Sequence, residues 1–262
     1  MDFDDAYANA AYIPDADSYP IRWANEADMF RQQMVGEGRA QLGVIYDQSP
    51  RTALDLFLPK HQAQGVLVFV HGGYWLKFGR SDFSYFAAGG VARGWAVAVP
   101  SYDLCPQVGI SDITRQIANA VSMAAKMVAG PLRITGHSAG GHLSARMTSQ
   151  GVLPADVAAR LQRAVPISPV SDLRPLRKTA MNQHFKMTQE DAIAESPALH
   201  PRPSVETRIW VGAKERPVFL DQAQWLAKAW SAPIKIAPEL HHFNVINGLA
   251  DPDSDLISDI LD

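Results

Sequence analysis

The stretch that decides the fold is Leu132-Arg133-Ile134-Thr135-Gly136-His137-Ser138-Ala139-Gly140-Gly141. Leu132–Thr135 is predicted to be a strand and Gly141–Ser149 a helix, so the G-x-S-x-G pattern of residues 136–140 falls on the turn between them. A turn of this kind strains the backbone at its central serine and accepts only small neighbours. The pattern predicts that Ser138 is a nucleophile held at the carboxyl end of a strand.

Short apolar runs alternate with helical segments from Gly65 onward. The predicted strands are Val66–Val70, Trp95–Pro100, Leu132–Thr135, Ala164–Ile167, Arg208–Val211 and Ile234–Ala237. The predicted helices are Ser81–Ala92, Ile110–Val128, Gly141–Ser149, Val218–Trp230 and Asp253–Leu261. Several of the strands lack polar alternation, which is typical of parallel strands buried on both faces. The pattern predicts an α/β fold with a mostly parallel, doubly wound sheet and a site at the carboxyl ends of its strands.

Two segments depart from this alternation. Near the N-terminus, Pro14 and Pro20 are expected to prevent a long helix, and the predicted elements are a helix over Ala24–Val35 with Met29, Phe30 and Met34 on one side, then antiparallel edge strands over Leu42–Tyr46 and Ala53–Leu58. Ser171–Pro203 is too long for a plain crossover connection. It is predicted to be a small helical cap over the site, and its alternative is a surface excursion without function. Residues 1–262 are predicted to form one domain.

Composition places the chain among ordinary globular proteins. Of its 262 residues, 47% are hydrophobic and 19% charged, and the formal net charge is −3. Basic residues are scattered, so we expect no nucleic-acid partner and no binding to an anionic membrane. Cys105 is the single cysteine, which excludes an internal disulfide and a cysteine-based metal site. The acidic N-terminus does not fit a secretory signal. We therefore expect a cytoplasmic protein that takes a small-molecule substrate, and a homo-oligomeric state stays open.

A second glycine turn, His71-Gly72-Gly73-Tyr74-Trp75, directly follows the predicted strand Val66–Val70. Glycine lets the backbone approach a substrate closely with its N–H groups free. We predict that the N–H groups of Gly72, Gly73 and Ala139 bind a developing oxyanion. His71 is expected to hold the loop rather than to act as a base. Tyr74 and Trp75 are expected to form one wall of a substrate pocket, with a place in the core as the alternative.

The positions of the base and the acid are predicted from chain order. In folds with this nucleophile turn, the catalytic residues occur along the chain in the order serine, acid, histidine. His241 and His242 come after the last predicted strand, and His242 is the predicted base with His241 as the alternative. His184 and His200 fall in the predicted cap and are expected to be structural. Glu215 follows the preceding strand and is the predicted acid.

Two other carboxylates compete with Glu215 for the role of the acid. Asp172 follows the Ala164–Ile167 strand and is the stronger alternative. Asp221 falls inside the next predicted helix, where a solvated side chain is expected.

Taken together, these motifs resemble the kynurenine formamidase (arylformamidase) branch of the α/β-hydrolases. The resemblance rests on His71–Trp75, Gly136–Leu143, Ser101–Pro106, Asp172–Leu176, Asn182, Glu190–Ala192, Ser196-Pro197, Glu215–Pro217 and His242-Phe243. The family usually carries an aspartate where this chain has Glu215. The resemblance implies the residues named above as catalytic, oxyanion-binding and substrate-binding groups. It also implies removal of a formyl group from an arylamine such as N-formyl-L-kynurenine, without metal or organic cofactor.

The same residues fit a second activity. A general short-chain carboxylesterase or thioesterase would use this nucleophile, acid and base, because the pocket for the acyl group is built from residues distant along the chain. A protein of another class, a binding protein on an inactive hydrolase fold, is disfavoured by the intact Ser138 and its candidate partners.

Overall fold

The computed structural model describes residues 2–262, which form a nine-stranded sheet with helices on both faces. The strands are β1 (Ala40–Ile45), β2 (Ala53–Phe57), β3 (Val66–Val70), β4 (Ala96–Pro100), β5 (Leu132–His137), β6 (Leu161–Ile167), β7 (Glu206–Thr207), β8 (Ile209–Gly212) and β9 (Ile234–Ala237). Their order is β1-β2-β4-β3-β5-β6-β8-β9, and β7 pairs with β6. Pairing is antiparallel from β1 through β2 to β4 and parallel elsewhere. The predicted α/β fold is confirmed.

The predicted parallel strands are present, and none of their ends differs from the prediction by more than three residues. β2, β3 and β4 are buried along their whole length, as expected for strands covered on both faces. β1 forms one edge of the sheet, whereas β2 is paired on both sides. The short strand β7 was not predicted, because its two residues give no periodic signal.

The helices cover both faces of this sheet. They are α1 (Phe3–Ala6), α2 (Ser18–Gly36), α3 (Arg80–Phe83), α4 (Ala88–Ala92), α5 (Ile110–Met127), α6 (Ala139–Arg146), α7 (Ala155–Ala158), α8 (Asn182–Phe185), α9 (Gln189–Ala194), α10 (Pro217–Trp230) and α11 (Asp255–Leu261). Five 3-10 turns join them, at Ala10–Tyr12, Ser84–Ala87, Leu176–Lys178, Pro197–Leu199 and Asn247–Ala250. The single helix predicted over Ser81–Ala92 is therefore α3, a 3-10 turn and α4.

α2 differs from the prediction in its start and in its buried face. It begins at Ser18 and carries Pro20 in its first turn, where a proline gives up no intrahelical hydrogen bond. The expectation that Pro20 precedes the helix is wrong. The buried stripe has the spacing of one helix face and consists of Trp23, Ala27, Phe30 and Met34. Met29 lies outside this stripe and is 66% exposed, so its predicted place on the buried side is wrong.

Residues 171–203 lie beside α6 and are tied to it by buried polar contacts. The Arg146 guanidinium pairs with the Glu195 carboxylate at 3.1 Å, and both side chains are buried. His142 donates from Nε2 to the Glu195 carbonyl oxygen at 2.6 Å. These contacts fix the insertion to the helix that follows Ser138.

Within the described residues, 2–262, we find no helix that is both long and apolar enough to cross a membrane. The cytoplasmic location expected from the sequence stays a prediction.

Candidate active site

Ser138 occupies a strained turn between β5 and α6. Its backbone has φ 58° and ψ −115°, a left-handed region that non-glycine residues rarely adopt. The turn is closed by glycines that have no room for a side chain. A Cβ on Gly136 would lie 2.1 Å from the Gly140 carbonyl oxygen, and one on Gly140 would lie 2.0 Å from the Val70 oxygen. The backbone is held in this conformation by its neighbours, as is typical of functional sites.

The predicted acid and base are in direct contact. His242 Nδ1 donates to Glu215 Oε2 at 2.5 Å, and both side chains are buried. Because a carboxylate can only accept, the Nδ1 proton lies on the Glu215 side and Nε2 is left as the acceptor. The imidazole is also held between rings, with centroid distances of 4.2 Å to Phe219 and 4.6 Å to His137.

The second oxygen of Glu215 is occupied by two donors that fix the carboxylate. Glu215 Oε1 accepts from the Gly212 N–H at 2.8 Å and from the Ser168 hydroxyl. Sequence reasoning missed Ser168. It directly follows the predicted strand Ala164–Ile167, at the edge of the sheet where the other predicted site residues lie, and that position is a signal by which it could be found.

Ser138 and His242 line the same cavity. The Ser138 hydroxyl has no hydrogen bond of 3.5 Å or shorter to any of residues 2–262. Bonds of this kind often tighten only when substrate is bound. The structure thus joins His242 to Glu215 directly and brings Ser138 to the cavity that His242 borders.

The alternatives to His242 and Glu215 have other partners. His241 is bonded at both ring nitrogens, with Nε2 3.0 Å from the Tyr19 hydroxyl and Nδ1 accepting from the Phe243 N–H at 3.2 Å. Asp172 accepts from the Arg174 guanidinium at 2.7 Å. Neither residue lies among those that line the cavity beside Ser138.

The three N–H groups predicted to bind an oxyanion lie at the turns after β3 and β5. None of the N–H groups of Gly72, Gly73 and Ala139 has a hydrogen-bond acceptor within residues 2–262. Gly72 packs against the serine turn, since a Cβ placed on it would lie 3.2 Å from the Ser138 Cβ. Gly73 has φ +107°, which favours glycine. These three donors are therefore unpaired within residues 2–262, and Gly72 and Gly73 line the cavity beside Ser138.

His71 is a buried part of the loop before these glycines. It donates from Nδ1 to the Gly72 carbonyl oxygen at 2.7 Å and stacks on Tyr102 at a centroid distance of 4.3 Å. Burial lowers the pKa of His71 to about 3, which keeps the ring neutral. These contacts agree with the expectation that His71 holds the loop.

Tyr74 and Trp75 have different places. Tyr74 lines the cavity and donates from its hydroxyl to the Tyr7 carbonyl oxygen at 2.8 Å. Trp75 is fully buried in the core, edge-on to His142 and Phe185. The prediction that Trp75 forms a wall of the pocket is wrong. Tyr74 and Trp75 both have backbone φ angles in the left-handed region, so the chain turns at these two residues. The large Trp75 ring gains more free energy from burial in the core than it would gain at the wall of the pocket.

The cavity beside Ser138 and His242, hereafter the Ser138 cavity, has a volume of about 360 Å³. Its aromatic lining consists of Tyr7, Trp23, Tyr74, Phe78, Phe83 and Phe243. From the 171–203 insertion it receives Met181, whereas many of its lining residues come from the N-terminal segment between Asp4 and Trp23. The sequence contains no motif that predicts this cover, since the segment lacks the periodicity of a regular element.

The N-terminal segment is attached to the body of the protein at Gln222 on α10 and at Arg216, the residue before α10. Tyr7 is buried and accepts at its hydroxyl from Gln222 Nε2 at 2.8 Å. Arg216 donates to the Asp5 carboxylate at 2.7 Å. The segment therefore forms a wall over the serine, hereafter the N-terminal wall.

The imidazoles that flank the site are held neutral by burial. The pKa of His137, the residue before Ser138, lies well below its ordinary value because of burial and, second, because of the neighbouring His242. Burial also lowers the pKa of His142 to about 4. Neither ring adds positive charge beside Ser138 near neutral pH.

The mostly parallel sheet, the strained serine between β5 and α6 and the acid–histidine pair at the ends of β8 and β9 define an α/β-hydrolase. The chain belongs to the BD-FAE family, whose profile matches residues 54–225.

Relatives of the chain are hydrolases. A kynurenine formamidase of Danio rerio is 28% identical over 227 residues, which cover 80% of this chain and 77% of that protein. A solved Silicibacter protein provisionally named a thioesterase is 54% identical, with a TM-score of 0.98 over the whole of both chains. An esterase of Pyrobaculum calidifontis shares the fold at 14% identity, with a TM-score of 0.71 over 89% of this chain and 85% of that one. The chain is an enzyme of the hydrolase class, and its predicted resemblance to kynurenine formamidases is confirmed.

Proposed function

We propose that the protein hydrolyses aryl formamides, with N-formylkynurenine as the type of substrate, through a formyl-enzyme on Ser138. The observation that carries the proposal is the 2.5 Å hydrogen bond between His242 and Glu215 beside a cavity that Ser138 shares. The aromatic lining of the cavity suits an aryl group. Relatives that match most of the chain are named kynurenine formamidases. In the proposal, the oxyanion is bound by the N–H groups of Gly72, Gly73 and Ala139.

The reaction starts with attack of Ser138 Oγ on the formyl carbon, while His242 Nε2 takes the hydroxyl proton. Glu215 stabilises the imidazolium that forms. The carbonyl oxygen becomes negative and accepts hydrogen bonds from the backbone N–H groups. Loss of one such donor typically raises the barrier by about 2.7–4 kcal/mol.

The C–N bond then breaks, and His242 gives its proton to the leaving nitrogen, which departs as the arylamine. Water attacks the formyl-enzyme with His242 again taking a proton. The intermediate collapses to formic acid, which ionises to formate, and His242 returns the proton it took from water to Ser138 Oγ.

An ester or thioester is the second candidate substrate. The same nucleophile, acid and base would cleave it, and the Silicibacter relative carries a provisional thioesterase name. The two candidate substrates differ in the leaving group. A formamide has a nitrogen leaving group, which departs poorly, whereas an ester or thioester has an oxygen or sulfur leaving group, which departs more easily.

The experiment compares kcat/KM for N-formylkynurenine and p-nitrophenyl butyrate in wild-type protein and in Ser138→Ala. We expect a higher kcat/KM for the formamide, and a loss of at least ~10⁴-fold on both substrates in the variant. A higher value for the butyrate ester would favour the second candidate. Retention of wild-type turnover by Ser138→Ala would contradict the mechanism.

A further inference from the structure

Asn9 places a buried hydrogen-bond acceptor without a partner at the wall of the Ser138 cavity. The residue is 6% exposed, and its Oδ1 receives no hydrogen bond from any of residues 2–262. The orientation of the amide follows from its neighbours. The Tyr74 hydroxyl donates its single proton to the Tyr7 carbonyl oxygen, so it accepts from Asn9 Nδ2, at 3.4 Å. Nδ2 is thereby used and Oδ1 is the free atom.

Local structure does not explain this side chain. Asn9 precedes the 3-10 turn Ala10–Tyr12, a position where asparagine usually accepts from a backbone N–H, yet its side chain makes no such bond. An unsatisfied buried acceptor costs about 1–3 kcal/mol. Buried polar atoms left unpaired in this way call for an explanation, and a ligand that donates to Oδ1 is one.

Trp23 lines the same cavity and carries a buried hydrogen-bond donor without a partner among the described residues. It is 4% exposed, and its ring packs among Tyr19, Phe78, Phe83 and Phe243. The indole Nε1–H has no acceptor within the described chain, 2–262. Asn9 and Trp23 both lie before residue 54, outside the region that the family profile matches. The N-terminal wall therefore carries its own acceptor and donor.

Asn9 also lies beside the catalytic pair. Together with His242 and Glu215 it lines a second, smaller cavity of about 220 Å³. In the proposed reaction His242 protonates the leaving nitrogen, so that nitrogen stands on the His242 side of the Ser138 cavity. Asn9 lies on this side too.

We propose that Asn9 Oδ1 accepts the N–H of the scissile formamide and that Trp23 Nε1 donates to an oxygen on the aryl group of the substrate. Both atoms expose less than 1 Å², so the substrate reaches them as the N-terminal wall adjusts around it. The substrate class is then a secondary aryl formamide with a carbonyl or carboxylate oxygen near the ring. An ester places a lone pair where the N–H would be, so Asn9 disfavours it. This inference rests on the proposed function.

The test uses formanilide, phenyl formate and N-methylformanilide, which share the formyl group and differ at the leaving atom. kcat/KM is measured for wild-type protein, Asn9→Leu and the control Asn25→Leu, an exposed asparagine on α2 that is not part of the cavity. In Asn9→Leu we expect the formanilide-to-phenyl formate ratio to fall about ten-fold or more, because a buried N–H loses its acceptor. The N-methylformanilide-to-phenyl formate ratio should stay within about two-fold, since neither substrate has an N–H to lose.

The outcomes separate this inference from the proposed function. The inference alone would be overturned if wild-type protein hydrolyses formanilide but Asn9→Leu changes the ratio of kcat/KM for formanilide to that for phenyl formate by less than about two-fold. Wild-type protein that hydrolyses no formanilide would overturn the proposed function, and the inference with it. Asn9→Ala carries the same expectation and replaces Asn9→Leu if that variant does not fold.

Trp23→Phe supplies an independent measurement because it removes the N–H and keeps most of the ring. We expect its kcat/KM for 2-acetylformanilide, relative to formanilide, to fall about five-fold or more. An unchanged ratio would overturn the part of the proposal that concerns Trp23.

Discussion

At the scale of single residues, the site depends on a carboxylate that is held at both of its oxygens. Glu215 uses one oxygen for His242 and the other for Gly212 and Ser168, so the carboxylate cannot rotate without losing a bond. Its side chain is one methylene longer than the aspartate that the family resemblance leads us to expect at this position. The bonds to Gly212 and Ser168 show how the longer side chain is accommodated, since they hold its carboxylate against the imidazole.

Glu215→Gln should keep the shape of the side chain and remove its charge. The amide can present its NH₂ to His242 and then favours the wrong tautomer, so we expect kcat to fall by roughly 10⁴-fold. Steady-state kinetics on N-formylkynurenine measures this fall, and a urea unfolding curve checks that the variant is folded. A folded variant with wild-type kcat would show that Glu215 is not the acid.

Gly72→Ala should damage the oxyanion-binding turn. The added Cβ would lie 2.9 Å from the His137 carbonyl oxygen, which is backbone and cannot move away cheaply. We expect kcat to fall by about 10²-fold or more, since misplacement of one oxyanion donor has effects of this size. Gly36→Ala is the matched control, because a Cβ there meets no atom within 4 Å. Equal kinetics for the two variants would contradict the account of this turn.

Several single residues were predictable because their position follows from chain order and strand ends. Ser138, Glu215 and His242 each follow a predicted strand, so their place at one edge of the sheet follows from the sequence. Trp75 was placed wrongly because the direction of a side chain after a turn depends on backbone angles, and its left-handed φ of 56° carries no sequence signal. Asn9 and Trp23 were missed because they are brought to the site by packing alone.

At the scale of elements, the helix that carries the nucleophile is held by the 171–203 insertion. The buried pair of Arg146 on α6 and Glu195 is the main polar contact between them, and the Thr114 hydroxyl on α5 donates to the same carboxylate at 2.7 Å. This insertion was predicted from its length, as too long for a crossover. The N-terminal wall could not be predicted in the same way, because neither its length nor its hydrophobic pattern shows where it packs.

Glu195→Gln should be strongly destabilising. It leaves the Arg146 guanidinium buried without its carboxylate, and we expect the free energy of unfolding to fall by about 3–5 kcal/mol. Lys214→Ala removes an ion pair with Glu239 in which both side chains are largely exposed, and it should cost less than about 1 kcal/mol. Chemical denaturation of both variants measures the difference, and similar losses in the two would contradict a special role for the buried pair.

At the scale of the whole molecule, three buried neutral histidines, His71, His137 and His142, make stability depend on pH. Burial lowers the pKa of each of them, to about 3 for His71 and about 4 for His142, from an ordinary value of 6.5. Below pH 6.5 the unfolded chain binds protons that the folded protein does not. The free energy of unfolding should therefore fall as the pH drops from 6.5 toward 4.

His142→Asn isolates one of these contributions. Between pH 6 and pH 4.5, each such histidine adds up to about 1.4 kcal/mol per pH unit to the slope of unfolding free energy against pH. We expect the variant to have a slope smaller by about this amount, measured by urea denaturation at several pH values. Identical slopes in wild-type protein and variant would mean that His142 is protonated in the folded state.

The fold as a whole was predictable because strands buried on both faces and strand–helix alternation are properties of the sequence itself. The predicted parallel alignment of β3, β5, β8 and β9 is enough to bring their carboxyl ends to one edge of the sheet. The order of the strands, in which β4 lies between β2 and β3, was not predicted. The substrate was not predictable to the same degree. The walls of the Ser138 cavity consist of residues as far apart in sequence as Asn9 and Phe243. Only the complete fold brings these residues together.

The central claim is that Ser138 forms the covalent intermediate, and a fluorophosphonate probe tests it most directly. Folded protein is labelled until formamide turnover stops, digested, and the adduct is located by tandem mass spectrometry. We predict one adduct, on Ser138, with loss of turnover in proportion to labelling. An adduct on another residue, or complete labelling of Ser138 with turnover retained, would contradict the account.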